Sequence, residues 1–377
     1  MKNLKKVISF AVSLALVFSF FSVVPKLKAE AAFSGTLQFN EKGKFRIMQL
    51  ADIQDDSSVD ARAINVITKA IARYKPDLVI FTGDNVTTKQ VTNNFQSSVN
   101  QFTQPLLNSN TKFAVTFGNH DDEGSLGSMP PNKDTQYNYY KQRGGDLFID
   151  HDVPSLTGTG SGAIKIYPYG QTSGTPGYLI YVMDSGSYAT SGGGYDCIYK
   201  DQIDYYIQTA QANPTVPALQ FQHIVVNDVY ERGMTTTNTG GAGFTGNESP
   251  YSSSTYYLDP ARINWDKCAY GTTTQEIYKE HPCPAKKSYY ESAAHRSSTQ
   301  YGSKTMYEAW RDYGNFKGGY CGHDHTNSFV LTTADGIDIG FGKSAGVNSY
   351  NDGNPGTRIF ELDIDGSYTT FTATEND

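Results

Sequence analysis

Positive charge is in short supply along this chain: 31 Lys and Arg face 38 Asp and Glu, for a formal net charge of −7. An acidic chain is a poor candidate for wrapping nucleic acid. Long apolar runs are scarce as well. Val7 to Val24 is an uncharged apolar stretch, and no later segment is apolar enough to span a membrane. Cysteine is limited to Cys197, Cys268, Cys283 and Cys321, whose spacings do not resemble a zinc–cysteine site. Internal repeats are lacking.

Lys2, Lys5 and Lys6 precede the apolar stretch, and Ala29-Glu30-Ala31 follows it as a small-residue cleavage site. Residues 1–31 therefore read as a secretory signal peptide, ahead of an uncleaved membrane anchor. Their removal lowers the basic count from 31 to 26 and the acidic count from 38 to 37, for a net charge of −11. The mature chain is expected to be secreted or otherwise extracytoplasmic, with no membrane association. Residues 32–377 are long enough for one large domain carrying an insertion. In an oxidising compartment the four cysteines admit three complete pairings. Cys268 with Cys283 would staple a loop poor in core residues, while Cys321 reads equally well as a buried thiol.

Apolar periodicity predicts strands at Phe45–Leu50, Leu78–Thr82 and Phe113–Thr116, separated by helices over Val59–Tyr74 and around Asn94–Leu107. That alternation is the pattern of a parallel sheet with covering helices. Further strands are expected at Ala163–Tyr167, Tyr178–Met183, Ala218–Phe221, Ser328–Thr332, Ile337–Phe341, Arg358–Ile364 and Tyr368–Thr374, with a helix near Thr305–Tyr313. Residues 231–304 are rich in Gly, Ser, Thr and Tyr, show little periodicity, and read as an irregular insertion over or beside the site.

Each of the first three strands ends in a polar block: Asp52, then Gly83-Asp84-Asn85, then Gly118-Asn119-His120-Asp121. Ligand sites in open α/β sheets gather at the carboxyl ends of strands. His223 follows the Ala218–Phe221 strand, and Gly322-His323-Asp324-His325 comes near the end. Singly, these residues have ordinary explanations: an Asp after a strand caps a helix or turn, and a His is half-buried. In this order they suit two neighbouring divalent ions, which need one carboxylate reaching both and a separate ligand set for each. Asp84 is the natural bridge, Asp52 a ligand of the first ion, and Asn119, His223, His323 and His325 complete the set. His151, His281 and His295 lack such context and read as surface residues.

The blocks resemble those of the calcineurin-like metallophosphoesterase superfamily, whose signature runs D-x-H, G-D, G-N-H-[DE], H and G-H-x-H. The matching residues are Asp52, Gly83-Asp84, Gly118-Asn119-His120-Asp121, His223 and Gly322-His323-Asp324-His325. Asp184-Ser185 and Gln222-His223-Ile224 also look like the exported and fungal phosphatase branch. The resemblance implies a four-layer α/β sandwich, two packed mixed sheets flanked by helices. It implies that one ion is held by Asp52, residue 54, Asp84 and His325, and the other by Asp84, Asn119, His223 and His323. His120 is implied to act on the developing charge or the leaving oxygen, with Asp121 orienting its ring. Gln54 departs from the usual histidine, and its neutral amide oxygen suits Mn²⁺ better than Zn²⁺.

The expected cofactors are two divalent ions (Mn, Fe or Zn), and the expected reaction is hydrolysis of a phosphate ester by a hydroxide that they activate. A phosphomonoesterase acting on a small molecule leads. The alternatives are a phosphodiesterase or nucleotide hydrolase, and an exported binding protein with a weakened metal site. Tyr256, Tyr257, Trp265 and Tyr270 offer either stacking surfaces or a small local core. Lys and Arg are sparse near the motifs, which argues against a polyanionic substrate or a nucleic-acid scaffold.

Overall fold

A computed structural model describes residues 36–88, 94–123, 132–268 and 273–377. The expected signal peptide and Tyr270 lie outside these residues. The sequence of strand β2 (Lys44–Leu50) shows how the layers arise. Phe45 and Ile47 belong to one buried cluster, while Met48 and Leu50 belong to another. The same alternation divides Leu78 and Ile80 from Val79 and Phe81 in β3 (Leu78–Thr82), and Ala114 from Phe113 and Val115 in β4 (Lys112–Thr116). A strand whose successive side chains point to opposite faces reads as a continuous apolar run only when both faces are covered.

Five strands form one sheet in the order β15 (Tyr368–Thr374), β14 (Gly356–Asp363), β2, β3, β4. Its β2, β3 and β4 are parallel, and β14 runs antiparallel to β2 and β15. Seven strands form a second sheet in the order β1 (Leu37–Gln38), β5 (Gly162–Tyr167), β6 (Tyr178–Val182), β7 (Pro217–Phe221), β11 (Asn315–Cys321), β13 (Asp338–Phe341), β12 (Val330–Thr332). Strands β6, β7, β11 and β13 are parallel. The sheets pack face to face through Phe360 of β14, whose ring meets Phe221 of β7 at 5.1 Å and Tyr320 of β11 at 4.6 Å. Gln49 crosses the same interface, donating to Thr82 Oγ1 and the Cys321 carbonyl at 3.1 Å each.

Helices α1 (Ala61–Tyr74), α2 (Phe95–Asn108) and α3 (Lys133–Gly144) cover the outer face of the five-stranded sheet. In α1 the residues Ala63, Val66, Ile67, Ala70 and Ile71 make the buried stripe. Each large aliphatic side chain so buried contributes about 1.5–3 kcal/mol relative to exposure. Asp60 caps the start by accepting from Arg62 N, and Lys75 ends the helix in the left-handed region. Helices α4 (Lys200–Ala212) and α8 (Met306–Asp312) cover the outer face of the seven-stranded sheet, where Tyr206 meets Tyr181 and Trp310 stacks on Phe316. The result is the expected four-layer sandwich of two packed mixed sheets flanked by helices.

Residues 231–304 carry their own small sheet, β8 (Met234–Thr235), β10 (Thr255–Leu258), β9 (Gly243–Thr245) in spatial order. Helix α5 (Asp228–Gly233) leads into the segment, and α6 (Thr274–Ile277) and α7 (Lys287–Tyr290) lie within it. Tyr256 packs on Tyr230 at 4.9 Å and on Tyr251 at 5.9 Å, as part of a local core, whereas Trp265 stays exposed. Cys268 and Cys283 are not bridged, contrary to the expected staple. Cys268 is held against the Val330 backbone, whereas Cys283 lies beside Asp324. His151 and His295 are buried rather than on the surface, because backbone carbonyls of Ile149 and Ile198 accept from their ring nitrogens.

Candidate metal centre

The parallel strands β2, β3, β4, β7 and β11 each end just before a candidate residue: Asp52, Asp84, Asn119, His223 and His323. Four of the seven non-glycine residues with positive φ among the described residues are here: Asp52 (53°), Gln54 (42°), Asp84 (48°) and His323 (74°). Each such conformation costs on the order of 1–3 kcal/mol and persists only where the surroundings fix it. They are fixed by neighbouring blocks. Asp52 N donates to the Gly83 carbonyl at 3.2 Å, Gln54 N to the Asp84 carbonyl at 2.8 Å, and His323 N to Asp52 Oδ1 at 2.9 Å.

The side chains converge as two groups that share one carboxylate. Donor atoms of Asp52, Asp84 and His325 lie within 4.8 Å of one another, and so do those of Asp84, His223 and His323. His325 Nε2 is 3.5 Å from Asp52 Oδ1, His223 Nε2 is 3.1 Å from Asp84 Oδ2, and His323 Nδ1 is 3.3 Å from His223 Nε2. Backbone carbonyls orient two of the rings from behind. His223 Nδ1 faces the Thr82 carbonyl at 2.9 Å and His325 Nδ1 the Tyr350 carbonyl at 2.7 Å, so each ring presents Nε2 inward.

Two further oxygens test whether cations fit. Asn119 Oδ1 and Gln54 Oε1 are buried without a hydrogen-bond partner. The Asn119 amide is oriented by Nδ2 donating to the Tyr188 hydroxyl at 3.1 Å, which leaves Oδ1 as the spare acceptor. Buried acceptors without donors are costly, and a cation among carboxylate, amide and imidazole donors satisfies them.

The charges of the cluster point the same way. Burial pushes the Asp52 carboxyl well up, against the opposing pull of His223. Burial also opposes ionisation of Asp84, yet His223 holds it below the usual carboxylate range. His325 is pushed down to about 4, chiefly by burial, and His323 is lowered by burial and by its neighbour His223. A proton on Asp52 and neutral imidazoles at His323 and His325 are what a divalent ion displaces or finds ready.

His120 sits at the edge of the cluster, its side chain 31 % exposed, with Nε2 4.0 Å from Asp84 Oδ2. The expectation that Asp121 orients this ring is corrected. The Asp121 carboxylate turns inward and accepts from the backbone amides of Asn85 (2.9 Å), Val86 (3.1 Å) and Gly118 (2.8 Å), tying the second block to the third. Glu123 meets the ring instead, with Oε2 2.7 Å from Nδ1. Its place three residues after His120 was the available sequence signal. Tyr188 on Asn119 and Tyr350, stacked on His325 at 4.1 Å, had none. Asp184 pairs with buried Lys133 at 2.9 Å, and Ser185 Oγ accepts from Ile224 N at 2.8 Å, which steadies the loop after His223.

The calcineurin-like phosphoesterase family matches the chain over residues 45–207. Phosphatase DCR2 of Saccharomyces cerevisiae is 28 % identical over 191 residues, 45 % of this chain and 32 % of that protein. Probable inactive purple acid phosphatase 14 of Arabidopsis thaliana is 25 % identical over 241 residues, 54 % of this chain and 59 % of that protein. The chain thus spans less than two thirds of the length of these relatives. Among solved structures, a dimetal phosphatase from Danio rerio aligns with a TM-score of 0.48 and 9 % identity, over 88 % of this chain and 99 % of the other. Asp52, Asp84, Asn119 and His120 lie inside the matched span and His223, His323 and His325 close the same cluster, so the chain carries the site pattern of the calcineurin-like phosphoesterase family that its residues 45–207 match.

Proposed function

We propose that the protein is an exported hydrolase of small phosphate monoesters that works with two divalent ions. The observation that carries this reading is the pair of ligand groups joined at Asp84. One ion is assigned to Asp52, Gln54, Asp84 and His325, the other to Asp84, Asn119, His223 and His323. When bound, the ions supply positive charge against the phosphoryl oxygens and the Lewis acidity that activates water. The neutral Gln54 amide favours Mn²⁺ over Zn²⁺ at the first position.

The chain's own residues do the rest. Asp52 and Asp84, buried and held by backbone donors, fix the ligand geometry with no rearrangement during the reaction. His120, half-exposed at the rim, is placed to give a proton to the departing oxygen. Exposed Tyr188 and Tyr350 lie against Asn119 and His325, so the mouth is aromatic and suits a compact ester. The hydrophobic residues 7–24 and the Ala29-Glu30-Ala31 site support export.

The test is hydrolysis of paired aryl phosphate monoester and diester substrates by metal-stripped protein reloaded with Mn²⁺, Fe²⁺, Zn²⁺ or Mg²⁺, beside Asp84→Asn. Metal-dependent monoester cleavage that vanishes in the variant is expected. Silence with every ion would move the assignment to a binding protein with a weakened site, and diester preference would move the substrate class.

A further inference from the structure

Four side chains form one hydrogen-bonded line along the rim of the candidate centre. Asn119, whose Oδ1 is the spare acceptor, donates through Nδ2 to the Tyr188 hydroxyl at 3.1 Å. That hydroxyl donates in turn to Glu123 Oε1. The other Glu123 oxygen, Oε2, lies 2.7 Å from His120 Nδ1. The Glu123 side chain is 7 % exposed although it belongs to a surface turn, so its carboxylate is folded inward on these partners. The third-block turn does not need it for closure, because Asp121 already satisfies three backbone amides there.

We propose that Glu123, held by Tyr188, is the positioning residue of His120 in phosphate-ester cleavage; this rests on the phosphoesterase reading above. By accepting Nδ1–H it fixes the ring with Nε2 toward Asp84, from which it is 4.0 Å away. Its carboxylate also offsets the charge of the ring when both nitrogens carry protons. As a water oxygen bonds to phosphorus and gives up a proton to solvent, the phosphorus–oxygen bond to the leaving group breaks, the electron pair stays on the departing oxygen and Nε2–H supplies its proton. The ring is left neutral, with Nδ1–H still on Glu123, and regains its proton from water. The line through Tyr188 to Asn119 ties this geometry to a metal-ligand side chain.

A residue that acts through a general acid matters in proportion to how badly the leaving group needs a proton. Positioned acids contribute about 10²–10⁴-fold in rate. The experiment compares the full chain with Glu123→Gln, Tyr188→Phe and His120→Ala on p-nitrophenyl phosphate and on glycerol 2-phosphate, with metal content measured for each. Glu123→Gln is expected to lower kcat on glycerol 2-phosphate by about 10²-fold and far less on the nitrophenyl ester, with KM and metal content retained. Tyr188→Phe should shift both in the same sense by a smaller factor. An independent readout is the Nδ1–H proton resonance of His120 in histidine-labelled protein, identified by its loss in His120→Ala; it should vanish or move upfield in Glu123→Gln. Equal losses on both esters, or no loss on either, overturn the proposal, as does an unchanged resonance. If the unaltered chain cleaves neither ester with any ion, the phosphoesterase reading fails, and the resonance alone then decides the Glu123–His120 contact.

Discussion

A side chain on Gly118 has nowhere to go: its Cβ would sit 2.3 Å from Asp84 Oδ1 and 2.6 Å from His223 Nε2. Gly83 is pressed as closely, with φ at +94° and the Gly118 amide nitrogen 2.6 Å from where a Cβ would stand. The two glycines let the second and third blocks approach so that Asp84 can face both ligand groups. Gly118→Ala should therefore displace the bridging carboxylate at a strain cost of about 1–3 kcal/mol. The expected outcome is loss of tight binding of one or both ions by calorimetry while far-ultraviolet circular dichroism stays native. Two ions bound at the original affinity would show that the blocks yield elsewhere. These residues were legible in the sequence because they are rare types in a fixed order. Glu123 was passed over for Asp121, the nearer acid, because only the turn decides which carboxylate faces inward to amides and which faces the ring.

At the level of elements, the strands announced themselves because each inner strand is apolar on both faces. Helix α3 did not, for apart from Gly144 its buried positions are Lys133, Gln136, Tyr137 and Tyr140, amphipathic side chains that carry little hydrophobic periodicity. The 231–304 segment hid a folded layer for the same reason, tyrosine standing where aliphatic residues would have given a pattern. One anchor of that segment is His295, clasped between the rings of Tyr199 at 4.4 Å and Tyr289 at 4.3 Å. Burial lowers its pKa, so the folded protein keeps the ring neutral where the unfolded chain, titrating near about 6.5, takes up a proton. Between that unfolded value and the lower folded one the unfolded state binds more protons, and stability falls as pH falls. His295→Asn should flatten the fall in urea midpoint from about pH 6.5 downward, relative to the unaltered protein. Parallel pH profiles would mean that the ring ionises in place.

For the molecule as a whole, the join between the sheets decides whether the site exists, since β2, β3 and β4 of one sheet and β7 and β11 of the other supply its ligands. Arg358 of β14 reaches across that join, fully buried, and donates to the carbonyls of Phe341 (2.8 Å), Lys267 (2.7 Å) and Ser328 (2.8 Å). Arg358→Met would leave these acceptors unpaired at about 1–3 kcal/mol each, partly offset by no longer burying a charge. A clearly lower urea midpoint is expected, and an unchanged one would show that the carbonyls find new donors. Bound ions should brace the same join: a ligand at 100 times its Kd adds about 2.7 kcal/mol. A chelator should lower the melting temperature, added Mn²⁺ should restore it, and Asp84→Asn should abolish both responses. The sequence by itself determined the candidate ligand types, their order and the strand ends that carry them, because metal chemistry restricts the residues and alternation restricts the strands. Only the tertiary structure decided that Glu123 rather than Asp121 meets His120, and that Cys268 and Cys283 stand apart. The first depends on how the turn after β4 folds, and the second on where the 231–304 segment lies against Val330 and Asp324, neither of which residue type and order encode.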